Sequence, residues 1–562
     1  MLDRRQFLQV AAATAMMTGT SGGFAKLAAR QTLSQDDLLD FETKGQVTLL
    51  NFTDCHAQLN PIYFREPSIN IGVGPSTGLP PHITGKAMLE KFGLKAGSAE
   101  AYAFSSTDFQ ALAKTYGRVG GMDRMATLVK AIRAERPDNT LLLDGGDTWQ
   151  GSYTALKTSG KDMVNVQNAL GVDAMTAHWE FTYGTDRVKE LQEMLNFPFL
   201  AGNVQDTEWE EEVFEATTVY RRGGVKIAVI GQAFPYTPVA NPRYMIPSWS
   251  FGIREKLVQK RVDDARANGA ELIVLLSHNG FDVDRKLASR VNGIDVILTG
   301  HTHDAIPAAI KVDQTLLVAS GSHGKFLARL DLDIKGKRVV DYAFKLIPVF
   351  SDVIKPDAEM AALVAKIRAP HEKYLNTVLG TTDSTLYRRG NFNGTFDDLI
   401  LQALMQERDA EIALSPGFRW GSSLLAGQDI TVEDVFNQTA ITYPKAYRNQ
   451  MTGETLKAIL EDVADNLFNK DPYYQQGGDM VRVGGMGYSI DINQTIGNRI
   501  SNMTHLKSGQ KIEAQKTYTV SGWASVNEGT EGPPVYDLVS NFIKNKKQVH
   551  VPETKNIQIK GG

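Results

Sequence analysis

"GIDVILTGHTHD", residues 293–304, is an apolar run that halts at a glycine and then places a histidine at every second position. The run reads as a strand. Spacing of i, i+2 on an extended segment puts His301 and His303 on one face. The same grammar recurs upstream. "AELIVLLSHNG" (270–280) ends in His278, and "NTLLLDGGDTWQGS" (139–152) runs through a Gly-rich turn to Asp147. "GQVTLLNFTDCHAQL" (45–59) closes on Asp54 and His56, again at i, i+2, while "GVKIAVIGQAF" (224–234) is a further strand. Between them lie amphipathic segments such as "GGMDRMATLVKAIRAE" (120–135), with Met122, Met125, Leu128, Val129 and Ile132 at helical spacing. Strands alternating with helices predict an α/β layered fold with ligands at the carboxyl ends of the strands. Strands at 315–319 and 326–334 finish this domain near residue 350.

The 562 residues, 42% hydrophobic and 22% charged, suit a globular chain of more than one domain. A net charge of −4 gives no support for a nucleic-acid partner. The catalytic unit spans 45–350, with 60–118 as an insertion too long for a simple loop, serving as a lid or a docking surface. Residues 351–380 read as a linker helix, and 381–562 as a second domain. Arg4 and Arg5 precede a short apolar run, residues 7–17, so residues 1–30 read as a twin-arginine export signal directing the chain to the periplasm. That run is shorter than the ~20 residues a stable membrane span needs. The single cysteine, Cys55, excludes an intrachain disulfide, and strand alternation turns it away from Asp54 and His56 as a buried, inert thiol. A monomer is the expected state.

Asp54, His56, Asp147, His178, His278, His301 and His303 make seven candidate metal ligands, all oxygen or imidazole nitrogen. Five of the ten histidines fall in this set, at strand ends rather than scattered. The donor types suit manganese, zinc or iron rather than calcium or magnesium alone.

"TDCHAQL", "GGDTWQGS", "LLSHNG" and "GHTHD" resemble, in order and spacing, the calcineurin-like metallophosphoesterases of the 5′-nucleotidase type. Residues 410–461 follow the usual pattern of the nucleotidase C-terminal domain. The resemblance implies a four-layer α/β/β/α metallophosphoesterase domain followed by a smaller α/β domain of the 5′-nucleotidase type. One segment departs from that pattern. Where nucleotidases carry Gly-Asn-His-Glu, this chain has Ala177-His178-Trp179-Glu180. "HWEFTYG", "LSPGFRWG", "GGDMVRVGG" and the twin-arginine leader together resemble the SoxB thiosulfohydrolase family of periplasmic sulfur oxidation.

That resemblance implies two divalent ions, manganese first and zinc or iron as alternatives. Asp54, His56 and His303 would hold one, His178, His278 and His301 the other, and Asp147 would bridge them. It also implies a substrate, the cysteine S-thiosulfonate on the C-terminal arm of a SoxYZ-type carrier protein, and sulfate as product. Trp179, beside His178, stands where nucleotidases have a general acid, and reads either as the wall of a narrow substrate channel or as a large core residue. Arg419 is the expected anion contact, a planar fork suited to a tetrahedral oxyanion, with Arg482 and His323 as further candidates. The rival readings are a periplasmic nucleotidase, disfavoured by His178-Trp179 and by the lack of an evident aromatic pair for base stacking, and a non-catalytic metal-stabilised binding module.

Overall fold

The computed structural model describes residues 33–561, so the twin-arginine segment lies outside the described residues. Two sheets form the first domain. One runs in the order Arg338–Pro348, Phe326–Lys335, Val47–Phe52, Thr140–Asp144, Ala174–Met175. The other runs Ile310–Val312, Thr315–Ala319, Val296–Thr299, Leu272–Ser277, Val225–Gln232, Thr217–Arg222. The central pairings are parallel: Val47–Phe52 on Thr140–Asp144, and Leu272–Ser277 between Val225–Gln232 and Val296–Thr299.

Side-chain alternation builds the layers. Leu272, Val274 and Leu276 pack into the apolar cluster shared with the first sheet, whereas Ile273 and Leu275 pack with Val258, Val262 and Leu287 of the covering helices. These parallel strands are mostly apolar and almost wholly buried because both faces are covered, as parallel sheets require. On the far side, the helix Met122–Glu135 and the helix Ala358–Arg368 pack against each other. The result is a helix/sheet/sheet/helix stack, with the parallel strands ending at one rim.

The second domain holds a sheet ordered Ala446–Thr452, Thr517–Trp523, Ile412–Ser415, Arg482–Gly484, covered by Thr395–Glu407, on which Val535–Lys546 packs in turn. No helix among the described residues is long and apolar enough to cross a membrane.

The structure corrects two expectations. The linker is not one helix: Ala358–Arg368 ends before Pro370, Glu372–Leu375 adds one turn, and Val378–Thr382 is a strand of the second domain. Proline has no N–H to donate, so Pro370 cannot continue the helical hydrogen bonding. Residues 60–118 are neither lid nor free face. Their helices bury Met88, Tyr102, Phe104, Phe109 and Leu112 in the core of the first domain. They also reach the second domain, where Ser423 N–H donates to the Tyr63 carbonyl (2.7 Å), Ile71 N–H to Asn391 Oδ1 (2.6 Å) and Thr385 Oγ1 to Gln110 Oε1 (2.8 Å). The insertion is a strut joining the domains.

Candidate active site

At the rim the seven candidate ligands converge. Asp147, His178, His278 and His301 place their ligand atoms within 4.8 Å of one another, and so do Asp54, His56, Asp147 and His303. Asp147 belongs to both groups, the arrangement the resemblance implied. His178 Nδ1 and His278 Nε2 lie 3.2 and 3.4 Å from Asp147 Oδ2, and His303 Nε2 lies 3.2 Å from Asp54 Oδ1. Close approach of the strand ends depends on Gly300, where a Cβ would sit 2.5 Å from Thr53 Oγ1 and 2.8 Å from His278 Nδ1.

The backbone carries the cost of this convergence. Asp54, His56, Asp147, His301 and His303 all have φ between 47° and 75°, the left-handed region that L residues avoid. Such conformations persist where surrounding contacts over-determine them, and they cluster at functional sites. Here the contacts are visible. His56 Nδ1 donates to the Gln150 carbonyl (3.2 Å), His278 Nδ1 to that of Gly145 (2.6 Å) and His301 Nε2 to that of Gln476 (2.8 Å). Each bond fixes a tautomer and leaves the opposite nitrogen as a lone-pair donor, the usual outer support of a metal-bound imidazole.

Two divalent ions fit the residues present. Nε2 of His278, which faces Asp54 at 3.5 Å and Asp147 at 3.4 Å, is buried without a hydrogen-bond partner. Nε2 of His56 faces Nε2 of His303 at 3.0 Å, a contact between two imidazole nitrogens that needs a shared proton or cation. Among the described residues no lysine or arginine pairs with Asp54 or Asp147. Burial holds His301 and His303 well below the usual imidazole range and brings His178 down to about 4, so these rings are neutral, the form that binds metal. Burial also opposes charge on His278, yet the Asp54 and Asp147 carboxylates raise it to about 9. Without metal it therefore serves as their counter-ion.

Glu180 supplies a support that the sequence did not single out. Its buried carboxylate accepts the backbone N–H groups of His178 (2.7 Å), Asp147 (3.2 Å), Thr148 (2.6 Å) and Trp149 (3.3 Å). It thus ties together the two loops that carry Asp147 and His178. Glu180→Gln replaces one acceptor oxygen with an NH₂ group. It is expected to destabilise the fold by about 1.5–3 kcal/mol, the range for hydrogen bonds to a charged group, measured as an earlier midpoint in urea. An unchanged midpoint would show that the carboxylate is dispensable.

A cavity of about 360 Å³ opens onto the ligands. Trp179 lines it while packing edge-on against Phe418 and Trp420 of the second domain, both at 5.3 Å between ring centroids. It is therefore at once a channel wall and a member of that domain's apolar core. Phe418 and Trp420 correct the expectation that no aromatic pair is present. They stack on each other at 3.9 Å and 17°, so no slot for a base lies between them. Phe234, at 4.1 Å from both His178 and His301, is a further wall the sequence did not reveal.

Arg419 lines the cavity, but two of its five N–H donors are committed, Nη1 to the Thr302 carbonyl (2.7 Å) and Nε to Asp479 (3.2 Å). Two other candidates do not line it. Arg482 is fully buried between Asp397 (3.2 Å) and Asp479 (3.0 Å), a core ion pair rather than an anion contact. His323 is fully buried behind His56. Its Nε2 accepts from Gly421 N–H (3.1 Å) and its Nδ1 bonds Ser322 Oγ (2.7 Å), so neither nitrogen is free for substrate. Cys55 is buried in the core, and burial pushes its thiol well up, which leaves it unreactive.

Residues 377–538 match the model of the 5′-nucleotidase C-terminal domain. The sulfate thiohydrolase SoxB of Thermus thermophilus, solved with glycerol, superposes with a TM-score of 0.90 at 36% identity, over 93% of this chain and 98% of that one. The chain belongs to the SoxB family. SoxB proteins share their fold with nucleotidases: a 5′-nucleotidase precursor of the same organism superposes at 0.72 with 21% identity, over 92% of this chain and 100% of that one. Mouse 5′-nucleotidase is 24% identical over 465 residues, covering 74% of this chain and 78% of its own. The relatives are hydrolases, and this SoxB-family member carries the side chains for a pair of metal ions in the same superfamily fold.

Proposed function

We propose that the chain is a thiosulfohydrolase. It would hydrolyse the terminal sulfonate of a cysteine S-thiosulfonate on the arm of a SoxYZ-type carrier and release sulfate. The observation that carries this reading is the wall of the cavity. Every histidine lining it is a candidate metal ligand, and the position beside His178 is filled by Trp179. Tyr443 is the phenol on that wall, and burial pushes it well up, so it is a poor acid. No imidazole is left to protonate a departing sugar alkoxide, a service typically worth ~10²–10⁴-fold.

Sulfonate transfer to water does not need that service. A water oxygen bonds to the sulfonate sulfur, the S–S bond breaks, and its electron pair leaves on the carrier's sulfur. Even a plain cysteine thiol has a pKa of ~8.5, so this leaving group is a weak base. The seven ligands would hold two divalent ions that polarise the attacked group and activate water. Manganese is the metal of this proposal, with zinc and iron as the alternatives the donor set allows. The uncommitted N–H groups of Arg419 would orient the sulfonate oxygens, and Trp179 with Phe234 would keep the reacting sulfur dry. The exposed lining of the cavity includes Val239 (57%) and Val526 (42%) beside the carboxylate of Asp462, which suits a slender peptide arm better than a polyanionic nucleotide.

Export through the twin-arginine route to the periplasm, resting on Arg4-Arg5 and the short apolar run after them, belongs to the same proposal. The test is sulfate release from a thiosulfonate-loaded carrier with manganese, run beside AMP hydrolysis under the same conditions. Rapid sulfate release with slow AMP turnover is expected. Brisk nucleotide cleavage with the loaded carrier untouched would overturn the choice of substrate.

A further inference from the structure

We propose that Asp479 is a positioning residue for the metal pair, acting across the domain boundary through the peptide between His301 and His303. The inference rests on the two-ion reading of the site and is independent of the substrate. Asp479 lies in the second domain, on the loop that precedes Arg482–Gly484, and is 4% exposed. Its Oδ1 accepts from Arg419 Nε (3.2 Å) and Asn391 Nδ2 (3.3 Å), and its Oδ2 accepts from Arg482 Nη2 (3.0 Å). Held this way, Arg419 donates from Nη1 to the Thr302 carbonyl at 2.7 Å. Thr302 stands between the two ligands of the "HTH" turn, one in each metal group.

The same loop makes a second contact, held through its backbone. Asp479 N–H donates to the Gly417 carbonyl (2.9 Å) and Met480 N–H to that of Asn391 (3.0 Å), which pins the loop in place. Three residues before Asp479, the Gln476 carbonyl receives the Nε2–H of His301 at 2.8 Å. Gly477 lies so close that a Cβ there would sit 2.3 Å from His301 Nε2. His301 (φ 75°) and His303 (φ 57°) are both in the left-handed region, which only outside contacts can hold. The first domain supplies the ligands, while the second fixes their backbone and the ring of one of them. Asp479 is the point where both restraints meet.

The rival account is that Asp479 merely neutralises Arg482 in the core. Cobalt(II)-loaded full-length protein separates the two. Wild type, Asp479→Asn, Asp479→Glu and Gly477→Ala are compared by visible absorption, by chelator-driven metal release and by the melting temperature of the metal-free form. For Asp479→Asn we expect an altered cobalt spectrum and release of both ions roughly 10–100-fold faster, the usual effect of losing an outer-shell partner. Asp479→Glu should recover part of the loss. Gly477→Ala, whose Cβ would press on the His301 ring from a position at φ 73°, should speed release of the ion that His301 holds, and Asp479→Glu carries the test if Asp479→Asn does not fold. Wild-type spectra and release rates in both variants, with only the metal-free melting temperature lowered, would overturn the proposal. A wild-type chain that binds no pair of ions would instead sink the two-ion reading, and this inference with it.

Discussion

Replacing Asp147 by alanine is expected to abolish tight binding of both ions and to lower turnover by at least about a thousandfold. Asp147 is the one side chain in both ligand groups, so its loss opens both coordination sets, whereas loss of any histidine opens one. Lewis-acid stabilisation by bound metal is worth several kcal/mol, and each ~1.4 kcal/mol is tenfold in rate. The same substitution leaves His178 and His56 without the carboxylate that lies 3.2 and 3.7 Å from them, so excess metal should restore little activity. Elemental analysis beside an assay of sulfate release checks this. Two ions retained at wild-type affinity would rule out a bridging carboxylate at position 147.

The second large effect concerns Trp179→His. An imidazole at this position, on the cavity wall beside His178, would face the leaving group of a phosphomonoester. The variant is expected to raise phosphomonoester hydrolysis by ~10²–10⁴-fold over wild type, the usual worth of a placed general acid. Sulfate release should fall at the same time, because Trp179 packs against Phe418, Trp420 and Tyr443 and its loss loosens the channel wall. A thermal melt establishes that the variant is folded. A folded variant with no new phosphatase activity and undiminished sulfate release would remove the leaving-group argument.

The metal ligands were legible because each has a local signature. Asp54, His278 and His301 follow mostly apolar strands that are buried at every position, and burial on both faces makes a charged or titratable residue at such an end conspicuous. Glu180 carries no such signature, since its work is done through backbone N–H groups from two loops, which no side-chain pattern encodes. Arg482 and His323 were misplaced for the converse reason. A basic residue in a Gly-rich segment reads alike whether it faces a cavity or a buried carboxylate, and only Asp397 and Asp479 decide which.

The amino-acid order by itself determined the layered α/β architecture and the seven candidate metal ligands, six of them from polarity patterns within a dozen neighbouring residues and His178 through the resemblance of its segment. The family resemblance had already implied how the ligands divide into two groups; tertiary structure alone decided that residues 60–118 are a strut, and that a carboxylate of the second domain braces the turn bearing His301 and His303. Those outcomes depend on contacts such as Arg419 with Thr302, 117 positions apart. A hydrogen bond across that separation is fixed by how whole layers pack and leaves no mark in the local sequence of either partner.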